Sequence, residues 1–205
     1  MKTIFKIVAI GVFASAAFAQ ENEIPRHELA FELGGFAPLS RSASQQSVDL
    51  SSGVALQANY AHLIVGGRSA ALYADVHLLA NPQRTVTSDQ QLATRDVATL
   101  FATPGIRLKF RPTSRVSPYL AAGGGLAWFE HSTKLLNGSP NPVGRELLRG
   151  AFDFGGGVDI PVWRFVAMRG EVRDFYTGSP NYNLPAIHGG QNNVVAGGGF
   201  VIRWR

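Results

Sequence analysis

From residue 28 onward, hydrophobic and polar side chains alternate in steps of two, the pattern of strands whose two faces meet different surroundings. Eight such stretches are readable, at 28–37, 52–62, 69–79, 96–111, 116–130, 146–160, 164–177 and 191–205. Each is close to, or slightly longer than, the roughly ten residues that carry a tilted strand across a bilayer. The connections alternate too. Residues 38–51, 80–95, 131–145 and 178–190 are long and rich in Ser, Gln, Asn, Pro and Gly, whereas 63–68, 112–115 and 161–163 are short. This predicts an all-β, eight-stranded antiparallel up-and-down transmembrane β-barrel. Its long loops would be extracellular, and its tight turns and both chain ends periplasmic. Pro104 conflicts with a continuous ladder, so a bulge at Pro104-Gly105, or a later strand start, is expected there.

The two parities differ in chemistry. Leu100, Ala102, Ile106, Leu108 and Phe110 oppose Thr99, Phe101, Thr103, Arg107 and Lys109; Phe152, Phe154, Val158 and Ile160 oppose Asp153, Gly155, Gly157 and Asp159. The polar parity collects Arg107, Lys109, Arg169, Arg173 and Arg203 as bases, and Glu32, Asp75, Asp153, Asp159 and Glu171 as acids. If it faces inward, these charges form a nearly neutral, salt-bridged plug. The turn at 161–163 would then set Asp153 beside Glu171 and Arg173, and Ala121, Gly123, Gly125, Gly155, Gly157, Gly197 and Gly199 would leave room for the arginines. A soluble lipocalin-like barrel also alternates, with the apolar face inside. The alternating loop lengths, the aromatic-bearing last strand and the aromatics near strand ends favour the membrane form. Tyr60, Phe110, Tyr119, Trp163 and Trp204 fall toward the turns, and Trp128, Phe129, Phe175 and Tyr176 toward the loops, as interfacial girdles would.

Composition narrows the classes. The 205-residue chain is 16% charged and 45% hydrophobic, which argues against disorder, and it has no cysteine for a disulfide, thiolate metal site or Cys nucleophile. Residues 1–19 read as a signal peptide: Lys2 and Lys6, an apolar run from Ile7, and Ala17-Phe18-Ala19 as a cleavage site ahead of Gln20. A single barrel domain over 20–205 follows. Without Lys2 and Lys6 the net charge of +5 falls to +3, so basicity is no sign of a nucleic-acid partner.

Three segments carry a resemblance: Pro118 to Trp128, the Gly155-Gly156-Gly157 strand, and Arg169 to Tyr176. Over about residues 28–205 the chain resembles the small outer-membrane β-barrel family, the OmpA-like or OmpX-like eight-stranded superfamily. The resemblance implies residence in the bacterial outer membrane, contact with its lipid, and insertion by the barrel assembly machinery. Gly197, Gly199, Ile202 and Trp204 resemble the C-terminal signal that this machinery reads, although Arg205 follows the aromatic where a terminal Phe is usual. The scaffold hosts adhesins, enzymes, structural barrels and narrow pores, so function does not follow from it.

Chemistry-bearing clusters are sparse. His131-Ser132 with Glu146 is similar to the Ser–His–Glu set of lipid A deacylases, but the two residues are adjacent here where that family separates them by one. His27, His62, His77 and His188 show no i,i+2 or i,i+4 spacing, and no cofactor, catalytic or metal site is expected from them. The triple glycines lack the strand–helix context of a phosphate loop. The expectation is a non-enzymatic outer-membrane barrel with a structural or surface-interaction role through loops such as Asn137–Pro142 and Ser179–Asn183. Alternatives are a narrow pore and, further off, a lipid-modifying enzyme; the extracellular ligand is unknown.

Overall fold

The computed structural model describes residues 23–38, 41–43, 46–88, 91–142, 144, 146–178 and 190–205. The signal peptide, its cleavage point, His188 and the Ser179–Asn183 loop segment lie outside them. Eight long strands form the wall: β1 (His27–Pro38), β4 (Gly53–Gly66), β5 (Ala70–Ser88), β6 (Asp96–Phe110), β7 (Ser117–His131), β8 (Glu146–Trp163), β9 (Val166–Thr177) and β10 (Gln191–Trp204). The short β2 (Arg41–Ala43) and β3 (Gln46–Leu50) lie in the first long connection. Every neighbouring pair is antiparallel. β5 pairs with both β4 and β6, and β1 pairs with β10 from His27↔Trp204 to Pro38↔Asn193, so the eight long strands close into a ring, with β3 and β2 appended to the far end of β5.

The lipid-suited parity faces out. Phe31, Leu33, Leu56, Val76, Leu78, Leu100, Ile106, Leu120, Leu126, Phe152, Phe154, Val172 and Phe200 are exposed and girdle the wall. Leu33 at 62% and Phe154 at 53% exposure are too open for a water-facing surface of this size. The opposite parity is buried and, over its turn-side half, polar and charged, which excludes the soluble barrel with an apolar calyx.

Three expectations change. β5 runs to Ser88 and β3 pairs with its end at Val86–Ser88, so residues 80–88 continue the wall where a loop was expected. The alternation resumes there, with Arg84 and Val86 inward, after a register shift between Asn81 and Arg84 that takes up Pro82. Pro104 needs neither a bulge nor a later start: pairing to β7 stops at Ala102 and resumes at Gly105 in the same register, while Pro104 stays opposite Val76 on β5. The strand absorbs the missing N–H by locally releasing one neighbour. Finally, Tyr119, Phe129 and Phe175 are buried inside and not part of a girdle, whereas Tyr60, Phe110, Trp163 and Trp204, with Trp128 and Tyr176, are exposed.

Charge on the outer face should therefore be costly. Phe154→Arg and Val172→Arg are each expected to lose about 2–4 kcal/mol of folding stability, read from reversible denaturation in lipid vesicles. Full stability in both would mean that this face does not meet hydrocarbon.

Candidate functional site

An eight-stranded barrel is just wide enough for side chains to fill, and here they fill it in two layers. The layer toward the short turns is ionic. Arg173 on β9 reaches Asp153 on β8 (Nη1–Oδ2 2.5 Å), Glu171 two residues away (Nε–Oε1 2.9 Å) and Asp75 on β5 across the lumen (Nη2–Oδ2 3.2 Å). Arg169 forks onto Asp159 through Nε at 2.7 Å and Nη2 at 2.8 Å, and its Nη2 also lies 3.2 Å from Glu28 Oε2. Arg107 on β6 meets Glu28 and Asp75, both at 3.2 Å, and donates to Asn59. Lys109 pairs with Asp159 at 2.7 Å and with Glu28. Asn59 also donates to Asp75.

Tyr119 lies within this layer. Its hydroxyl donates to Glu171 at 2.6 Å, and the guanidinium carbons of Arg107 and Arg169 sit 4.9 and 4.8 Å from its ring centre. Burying so many ions is tolerable because Glu28, Asp75, Asp159 and Glu171 each find more than one cation or donor, while Asp153 relies on Arg173 alone and its Oδ1 is unsatisfied. Glu32 differs: it is buried beside this layer, yet neither carboxylate oxygen has a hydrogen-bond partner. Arg203 is buried toward the turn end, and its Nε is unsatisfied.

Glycine makes the room. A Cβ on Gly157 would lie 2.5 Å from the Tyr119 hydroxyl, one on Gly123 would lie 2.5 Å from Asp153 Oδ1, and one on Gly155 would lie 2.7 Å from Arg173 Cγ.

The layer toward the loops is apolar. Phe36, Leu79, Val97, Phe101, Phe129, Phe175 and Val195 are buried there, with Phe101 6.1 Å from Phe36 and 5.0 Å from Phe175 between ring centres. Arg84 lies 4.4 Å above the Phe36 ring and donates to Thr99 at 2.8 Å. His77 joins the layers, 3.1 Å from Gln57 Oε1 and 5.6 Å from the Phe175 ring. Residues 91–95 and 132–141 close over this end through Leu136 N to Ala93 O (3.0 Å) and Asn137 N to Gln91 O (3.2 Å).

All ten charged residues singled out by parity are buried in the lumen. Asp153 meets Arg173 but is not opposite Glu171. The ladder sets Asp153 across from Phe175 and Glu171 across from Gly157, and Arg173 bridges the two acids. Glu28 and Asn59 were missed. Glu28 shares the parity of Glu32, and that alone could have found it.

The other candidates separate. Ser132 Oγ donates to Lys134 O at 2.5 Å and accepts from the backbone N–H groups of Arg95 and Asp96, while Glu146 is exposed and opposite Glu130. His131 is buried. This is turn architecture rather than an activated serine. Gly197 and Gly199 lie on the inward parity of β10, and Ile202 and Trp204 face out near its end.

Removing one partner from the ionic layer leaves the others uncompensated. Arg173→Ala, Asp153→Ala and Glu28→Gln are each expected to destabilise the barrel by about 3–5 kcal/mol in urea titrations. Gly157→Val should cost about 1–3 kcal/mol by crowding Tyr119. Gly124→Ala, where a Cβ meets nothing within 4 Å, should be near neutral.

No protein-family model matches the chain, and no curated protein matches it in sequence. Solved structures do. The crystal structure of Neisserial surface protein A superposes with a TM-score of 0.53 at 14% identity, covering 89% of this chain and 99% of that one. The outer membrane protein OprG from Pseudomonas aeruginosa gives 0.54 at 12% identity, covering 89% and 98%. At such identities the likeness concerns the fold, and it runs the length of both chains. The chain has the fold of the small eight-stranded outer-membrane β-barrels, and the outer membrane is the environment that its apolar girdle matches.

Proposed function

We propose that this protein is a closed, non-enzymatic outer-membrane scaffold that acts through its loop face and does not conduct. The observation that carries this reading is the doubly filled lumen. An ionic layer crosslinks strands across the ring at Arg173–Asp75, and an aromatic layer around Phe101 lies above it. A solute would have to break buried ion pairs and then cross packed rings. The hydrogen-bonded pair of segments 91–95 and 132–141 provides an ordered outer platform on which Leu92 and Lys134 are exposed. Binding residues concentrate on loops held by a rigid support. The proposal includes removal of residues 1–19, a mature barrel domain over 20–205, and reading of Gly197, Gly199, Ile202 and Trp204 by the assembly machinery.

Wild-type protein in a planar bilayer should show no sustained conductance. Phe101→Gly combined with Arg173→Ala should open intermittent current if the variant still inserts. Steady wild-type conductance would replace the scaffold by a pore.

The mature protein from outer-membrane fractions should have the mass of a chain starting at Gln20. Protease added to intact cells should cut within 132–145 or 178–190 and spare the strands. Recovery as a soluble periplasmic protein would overturn the location.

A further inference from the structure

Outside the lumen, at the turn-end rim, the β1–β4 register places His27 directly opposite His62. The two ring centres are 4.8 Å apart, and the Nδ1 atoms are 3.4 Å apart. Tyr60, two residues before His62 on the same face, brings its hydroxyl to 2.8 Å from His27 Nδ1. Trp204 stacks on the other side of His27, with ring centres 5.3 Å apart and planes 11° from parallel. His62 is exposed and His27 half-buried, so the cluster opens at the edge of the apolar girdle.

We propose that His27 and His62 form a binding site for a divalent late transition-metal ion, with the Tyr60 oxygen as a neighbouring donor. Imidazole nitrogens bind such ions at about 2.0–2.1 Å, and two of them at a tetrahedral angle are about 3.3–3.4 Å apart. The observed 3.4 Å between the Nδ1 atoms is that separation. The rigid ladder fixes both Cα positions, so little ordering is needed on binding. Two imidazole nitrogens and a phenol oxygen select late transition ions over Ca2+ or Mg2+, which take oxygen cages; the tetrahedral separation suits Zn2+, and Cu2+, the tightest binder of the series, serves as the probe. The remaining coordination positions face the membrane interface and would be filled by water or a lipid phosphate oxygen. The nearby Arg26 is exposed and opposes a dication, so ligand geometry must supply the binding.

The stacked Trp204 is a built-in reporter, since bound Cu2+ quenches a nearby indole. The full-length mature barrel, refolded in phosphate-free detergent, is titrated with CuCl2 and followed by tryptophan fluorescence and electron paramagnetic resonance. Wild type should quench saturably at one ion per barrel, with a spectrum showing two coupled nitrogens. His27→Ala and His62→Ala should each weaken binding roughly tenfold or more, since even residues that only support a ligand cost that much. His188→Ala should not change it. Trp204→Phe should lose most of the quench while keeping the two-nitrogen spectrum. Both histidine variants lie at the rim, and heat-modifiable migration in gels verifies that they fold. Non-saturating quench, a one-nitrogen spectrum, or unchanged affinity in folded His62→Ala would overturn the site. Parallel titrations in detergent and in anionic phospholipid vesicles separate water from lipid phosphate as the remaining ligand; a two-nitrogen spectrum is required in both.

Discussion

The fold depends on crosslinking ions inside a narrow ring, a network that leaves Glu32 without a hydrogen-bond partner at its margin. An eight-stranded wall encloses a space that side chains must occupy, and an unpaired charge there costs several kcal/mol. Arg173 shows how the cost is offset: one guanidinium serves carboxylates from β8, β9 and β5. In the ring order, β9 and β5 are diametrically opposite. The contact therefore ties together walls that the hydrogen-bond ladder joins only by passing around the circumference. Arg107 and Lys109 on β6 do the same toward Glu28 on β1.

This network dictates composition elsewhere. Long arginines need empty positions opposite, and β7, β8 and β10 supply them as glycine on the inward parity. The ring of Tyr119 fits between two guanidiniums only because Gly157 has no side chain. The aromatic layer above needs no such economy, because Phe36, Phe101, Phe129 and Phe175 fill the remaining width and close the loop end to water. Ion pairs below a dry aromatic lid are screened less than pairs in a wet channel, so each layer strengthens the other.

Most of the wall was legible because a period of two admits few readings over eight stretches, and one parity was too apolar for water. The errors came from letting residue type override parity. Tyr119, Phe129 and Phe175 read as interfacial aromatics because they lie near strand ends, yet Tyr119 shares its face with Ala121 and Gly123, already assigned inward. Glu28 was overlooked at a strand start although it alternates with Glu32. Other features could not be read at all. The strand character of residues 80–88 hides behind Asn81-Pro82-Gln83, where the register shifts. The His27–His62 pair is separated by 35 residues, and spacing rules within one strand are blind to a partner chosen by cross-strand register. Partner identity in the ionic layer is likewise a matter of tilt and reach, which alternation does not encode.

A filled lumen constrains where function can lie. The middle of the outer face is apolar and suited only to lipid, and the inside is occupied, so polar chemistry open to partners among the described residues is confined to the two rims. The rims are unlike each other. At the loop end, backbone hydrogen bonds between 91–95 and 132–141 set a broad platform, the geometry for contact with something large. At the turn end, connections are too short for a platform, and the reachable groups are side chains projecting from strand ends, held as firmly as the ladder itself. His27, His62 and Tyr60 are such groups. A rigid pair of donors suits a small ion, as a platform suits a macromolecule. The crosslinked interior between them gives neither rim an easy route to move the other.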